Sequence, residues 1–130
     1  MAISTPTTAE LEILQILWQH GAQTVRFVHD ELLRQRADDI GYTTTLKNMQ
    51  NMLDKGILLR RIEARSHIYC PAHPEAQTQN QLLQGFVEAT YRGSAASLVL
   101  HALGKGSASP DELAQIKALI EAIEHQTPKN

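Results

Sequence analysis

The stretch Gly41-Tyr-Thr-Thr-Thr-Leu-Lys-Asn-Met-Gln-Asn-Met-Leu-Asp-Lys-Gly56, followed by Ile57-Leu-Leu-Arg-Arg-Ile-Glu-Ala-Arg-Ser-His-Ile-Tyr-Cys-Pro71, decides how this chain folds. Its first half has a helical period. Leu46, Met49 and Leu53 share one side, while Thr44, Lys47, Asn48 and Asn51 fall on the other, flanked by Thr43 and Gln50. Asp54-Lys55-Gly56 closes this helix. The second half predicts two short strands, Ile57 to Glu63 and His67 to Pro71, around a tight turn at Ala64-Arg65-Ser66.

Upstream, Thr7 and Glu10 form a capping-box pattern. The helix they start places Leu11, Leu14 and Trp18 on one side, with Ile13 and Leu17 beside them, and ends at His20-Gly21. A second helix is expected from Thr24 to about Arg36, with Val25, Val28, Leu32 and Leu33 as its apolar stripe. A polar connector, 37–41, follows it; Asp38 and Asp39 there read as solvated carboxylates.

Downstream, Pro71 and Pro74 mark a boundary. A helix from Glu75 to about Tyr91 carries Leu82, Leu83, Phe86 and Val87, and one from Ser94 to Leu103 carries Leu98 and Val99. Ser109-Pro-Asp-Glu112 opens a last helix, with Ser at the N-cap, Pro at N1 and Glu at N3. Leu113, Ile116, Leu119, Ile120 and Ile123 lie along one stripe of it. The segment from Thr127 onward is expected to fray.

At 130 residues and 42% apolar content, the chain forms one compact domain or a small domain with an appendage. No apolar run reaches the length of about 18 residues that spans a bilayer, and the start has no basic and apolar export signal. The single Cys70 cannot form an internal disulfide, which fits a cytoplasmic protein. The net charge of −2 is segregated. From Tyr42 to Tyr69, five cations (Lys47, Lys55, Arg60, Arg61, Arg65) face two carboxylates (Asp54, Glu63); from Cys70 onward, acids outnumber bases six to four. One basic patch on an acidic remainder suits a protein that meets DNA through a single surface.

The six histidines are scattered, with no pair at i, i+4 on one helix and no Cys-x-x-Cys, so no metal site is expected. No phosphate-binding glycine loop, nucleophile elbow or other catalytic constellation occurs, so neither a cofactor nor an enzyme activity is expected.

The expected fold is mainly α with a small β-hairpin. It is a winged helix-turn-helix domain over 1–72, followed by a three-helix dimerisation region over 73–130. The three downstream helices are too short to enclose a core alone, and a second copy of the chain is the economical cover. Their candidate dimer contacts are Leu82, Phe86, Leu98, Leu113, Ile116, Leu119, Ile120 and Ile123. The candidate base-reading groups are Asn48, Asn51 and Gln50, since Asn and Gln fit the adenine edge. Thr43, Thr44, Lys47 and the Tyr42 phenol are placed to meet phosphates or base edges. Arg60, Arg61 and Arg65 are phosphate ligands by position, and His67 is a strand residue that packs or meets a phosphate. By periodicity alone, the same helix and hairpin also serve as a protein-interaction module.

Four fragments resemble the penicillinase-repressor family of bacterial winged-helix regulators (BlaI, MecI and the copper-responsive CopY branch). They are Thr8-Ala-Glu-Leu-Glu-Ile-Leu-Gln-Ile-Leu-Trp18, Tyr42 to Gly56, Arg65-Ser-His-Ile-Tyr69, and the pair Gly93-Ser-Ala-Ala-Ser-Leu-Val-Leu100 and Ser109-Pro-Asp-Glu-Leu-Ala-Gln-Ile116. The resemblance implies a homodimeric repressor on inverted-repeat operators. It carries DNA contact to Tyr42, Thr43, Thr44, Lys47, Asn48 and Asn51, and to the wing near Arg65 and His67. It also implies a membrane-linked metallopeptidase sensor that relieves repression by cutting an Asn-Phe bond. His101-Ala102 stands at that place here, and the Cys-x-Cys pairs of the copper branch are missing, so the inducing signal stays open.

Overall fold

The computed structural model describes residues 5–36 and 38–126. In chain order these form α1 (Thr8–His20), α2 (Val25–Gln35), α3 (Tyr42–Asp54), β1 (Leu58–Glu63), β2 (Ser66–Pro71), α4 (Glu75–Tyr91), α5 (Ala95–Gly104) and α6 (Pro110–Gln126). The expected fraying at 127–130 lies outside the described residues. The chain divides into two compact units, Met1–Leu83 and Gln84–Asn130.

Local chemistry sets the element ends. Thr7 caps α1 by accepting from the Glu10 backbone N–H, and the Glu10 carboxylate accepts in return from the Thr7 N–H. Thr24 caps α2. At the end of α3 the Ile57 N–H donates to the Met52 carbonyl and the Gly56 N–H to the Leu53 carbonyl, with Gly56 at φ 80°. That is a Schellman closure, which needs a residue without Cβ strain at the left-handed position. Ser109 and Glu112 exchange the same reciprocal bonds at the start of α6. They hold the Glu112 carboxyl below its ordinary range.

The first unit is built around one core: Ile13, Leu14, Ile16 and Leu17 from α1, Val25, Val28 and Leu32 from α2, Met49 and Met52 from α3, and Ile57, Leu58 and Tyr69 around the ribbon. Each such buried chain contributes about 1.5–3 kcal/mol by leaving water. Three sequence expectations shift here. In α1 the buried line includes Ile16, and Leu11 and Trp18 sit at its margin. In α2 Leu33 is 37% exposed, and His29 takes the inward place beside Val28 and Leu32. In α3 the buried line is Thr45, Met49 and Met52, with Leu46 and Leu53 only partly covered. The reason for the last two is common. His29 Nδ1 and Thr45 Oγ1 hydrogen-bond at 3.0 Å, so two polar residues satisfy each other between α2 and α3 and can both be buried there.

β1 and β2 pair antiparallel from Leu58↔Pro71 to Glu63↔Ser66. A further bridge joins Gln23 to Tyr69, each residue donating its N–H to the other's carbonyl (3.0 and 2.9 Å). It stitches the α1–α2 loop onto the ribbon, a contact the sequence reading did not contain. Asp38 is not simply solvated: Arg36 donates Nε and Nη2 to its two oxygens at 3.1 Å. Those bonds hold its carboxyl below the usual range.

In the second unit, Tyr91 Oη and His101 Nδ1 lie 2.8 Å apart, joining the end of α4 to α5. Neither α5 nor α6 has a buried residue. No helix among the described residues is long and apolar enough to cross a membrane.

Candidate nucleic-acid interface

The Schellman closure, the His29–Thr45 bond and the packing of Met49 and Met52 fix which way α3 faces. Its outward side presents Tyr42, Thr43, Thr44, Lys47, Gln50 and Asn51 to solvent, and Asn48 is half-buried. All are short or single-headed polar groups except Tyr42. None of them occupies the core.

The ribbon register sorts the cations. Side chains of directly opposite residues share a face, and successive residues alternate. Arg60 therefore shares its face with Tyr69, Ile62 and His67, while Arg61 shares the other with Ile68 and Glu63. Arg60 and His67 line an open cleft of about 490 Å³ with Thr24, Arg26, Tyr42 and Gln50, and no carboxylate lines it among the described residues. Arg61 is hydrogen-bonded to Glu63. The two neighbouring arginines are thus not equivalent: one lines the cleft beside α3, the other is paired on the far side.

Arg65 is exposed in the hairpin turn. Ala64 and Arg65 have φ of 48° and 69°, the signature of a two-residue turn that normally takes Asn-Gly. A β-carbon at such φ costs about 1–2 kcal/mol. The turn keeps a cation where glycine would be easier, and that cation stands at the tip of the ribbon.

Lys55, counted with the basic patch by sequence, is turned elsewhere. Its Nζ donates to Glu10 Oε2 at 2.8 Å. Burial pushes the Glu10 carboxyl up, but the bonds from Lys55 and Thr7 outweigh it and hold the group below its ordinary value of 4.5. Arg26 was missed. Its guanidinium carbon lies 4.2 Å from the centroid of the Tyr42 ring. The available signal was a cation in the first turn of α2, the positive end of the helix dipole, where acids are the favoured choice.

The remaining expected residues lie in the second unit or at its border. Leu82, Leu98 and Ile116 are half-buried; Phe86, Leu113, Leu119, Ile120 and Ile123 are exposed. Leu113, Ile116 and Ile120 form with Leu103 an apolar groove of about 450 Å³.

Three helices, a stapled two-stranded ribbon and a free polar helix face together define a winged-helix protein. The profile described as "Penicillinase repressor" matches residues 6–122, and the chain belongs to that family. It is 28% identical over 116 residues to the transcriptional regulator BlaI of Mycobacterium tuberculosis, covering 87% of this chain and 83% of the relative. It is 28% identical over 125 residues to the penicillinase repressor of Bacillus licheniformis, covering 93% and 91%. Among solved structures it resembles the monomeric form of Bacillus licheniformis BlaI in complex with the blaP half-operator. That likeness has a TM-score of 0.50 at 25% identity, over 58% of this chain and 89% of the other. It also shares the fold of a mutant MarR from E. coli complexed with operator DNA, with a TM-score of 0.51 at 15% identity, over 91% and 75%.

Proposed function

We propose that this chain is a homodimeric transcriptional repressor that binds inverted-repeat operator DNA, acts in the cytoplasm, and is not an enzyme. Residues 1–72 form the DNA-binding part and 73–130 the dimerisation part. In this reading α3 enters the major groove. Asn48, Gln50 and Asn51 read base edges, and Thr43, Thr44 and Lys47 meet phosphates or the thymine methyl. Arg60 and His67 approach the backbone from the cleft face of the ribbon, Arg65 from its tip, and Arg61 from its far face in exchange for its bond to Glu63.

The observation that carries this reading is the two-sidedness of α3. One side is locked in the core by Thr45, Met49 and Met52, and the other is exposed, polar and adjacent to a cleft lined by cations. The half-operator complex of the Bacillus licheniformis relative supports the same use of the fold.

The dimer rests on a second observation. α6 runs 17 residues without burying one, and Leu100, Leu119 and Ile123 are 72%, 60% and 51% exposed. An apolar surface of this extent is an interaction site, and a second copy supplies its match by symmetry. Two recognition helices about 34–36 Å apart then read the two halves of a palindrome. The family's membrane-linked metallopeptidase sensor enters this reading only with a scissile bond other than His101–Ala102.

Selection from a palindromic duplex library in moderate salt, followed by gel-shift titration, tests the proposal. The expected result is a retained sequence with two-fold symmetry, bound by a dimer. A chain that retains no sequence is a protein-interaction module instead.

A further inference from the structure

We infer that Arg26 is a ligand for a DNA backbone phosphate in the cleft beside α3, and that Tyr42 is the shelf that holds Arg26 rather than a phosphate contact of its own. This rests on the operator-binding reading and adds to it a residue and a changed role.

Four side chains form a stack from the core to the surface. Thr45 Oγ1 fixes the buried His29 ring through the 3.0 Å bond to Nδ1. The His29 ring meets Tyr42 edge-on, with centroids 5.5 Å apart and planes at 85°. The guanidinium of Arg26 lies over the Tyr42 ring at 4.2 Å, within cation–π range. A long side chain that normally samples many rotamers is thus positioned before any ligand arrives, while its head stays exposed. A guanidinium stacked on an aromatic face keeps its edge donors free for a phosphate.

Two electrostatic facts assign the occupant. Arg26 sits in the first turn of α2, where the helix dipole repels a cation and attracts an anion. Its carboxylate neighbour, Asp30, is 4.0 Å away and as exposed as Arg26 itself, an arrangement that neutralises little. Across the same cleft stand Arg60 and His67. An anion seated there relieves the repulsion at the helix end and is flanked by cations from two sides. The cleft is continuous with the free face of α3 through Gln50, so the polyanion that fits is the strand whose bases α3 reads.

The test measures affinity for the selected operator and for a mixed-sequence duplex over a salt series. Arg26→Ala should weaken both by a similar factor, roughly tenfold, and reduce the salt slope by about one. The loss should persist when Asp30→Asn is added, which excludes an unmasked carboxylate as its cause. Tyr42→Phe, which keeps the ring face under the guanidinium, should retain most of the affinity that Tyr42→Leu loses. Tyr42→Leu should lose most of what Arg26→Ala loses, and the Arg26→Ala, Tyr42→Leu double variant no more than Arg26→Ala alone. Wild-type binding by Arg26→Ala overturns the inference, as does a Tyr42→Phe loss equal to that of Tyr42→Leu, which would give the contact to the phenol. If the unaltered protein binds neither duplex, the operator reading itself falls, and this inference with it.

Discussion

Lys55, at the C-cap of the recognition helix, donates its ammonium to Glu10 in the first turn of α1 across 2.8 Å. Glu10 is buried and also closes the capping box of its own helix, so one carboxylate anchors the start of α1 and the end of α3. The pair ties the end of α3 to the start of α1.

That bond makes stability depend on pH in a stated window. The folded Glu10 carboxyl lies below its unfolded value of 4.5, so its contribution is complete above that value and drains away as pH falls through the depressed one. Glu10→Gln should cost about 1–3 kcal/mol near neutrality. It should also flatten the acid limb of urea midpoint against pH. An acid limb identical in wild type and variant would show that the pair contributes nothing.

Base reading and phosphate holding should separate by mutation. Asn48→Ala or Asn51→Ala should lower the ratio of operator to mixed-sequence affinity, by about 1–3 kcal/mol where a bidentate contact is lost. Arg65→Ala should weaken both duplexes alike and lower the salt slope by about one. Competition titrations decide the matter, and an unchanged ratio in both Asn variants removes α3 as the reader.

The exposed stripe of α6 should be the dimer contact. Leu119→Asp or Ile123→Asp puts a charge at a position already open to water in one copy, so the fold of the copy is spared. Sedimentation should show a monomer with circular dichroism unchanged, and operator affinity should fall with it. Ile116→Asp should do the same at the cost of the groove it helps to line. Variants that still sediment as dimers would move the interface elsewhere.

The hairpin turn should be improvable. Ala64→Asn places a residue that tolerates the left-handed region at φ 48° and should raise stability by about 0.5–1 kcal/mol, with no change in DNA affinity. Arg65→Gly should stabilise similarly but bind DNA less well. Denaturant melts paired with gel shifts give both readings; a turn indifferent to either change would mean its backbone is not strained.

Much of this architecture was legible along the chain because its signals are local. Capping boxes at Thr7 and Ser109, the glycine stop at Gly56 and the β-rich runs around Ala64-Arg65 depend on neighbours within a few residues, and each element formed within a residue of where they stand. The polar side of α3 was legible for the same reason: 3.6 residues per turn places Thr44, Lys47 and Asn51 together whatever lies behind them.

What hydropathy alone could not rank was decided by packing. Leu33 is more apolar than His29, and Leu46 than Thr45, yet the polar pair is buried because each satisfies the other from a different helix. Lys55 reads as one more cation until Glu10, 45 residues away, removes it from the patch. Arg60 and Arg61 read as one motif until strand register sends them to opposite faces. Arg26 reads as a surface charge until Tyr42 comes beneath it. Local stereochemistry, fixed by the order of residues, determined which elements form and which side of α3 is polar. Only the tertiary structure, through contacts between residues far apart in the chain, decided which of the charges stand free to meet a ligand.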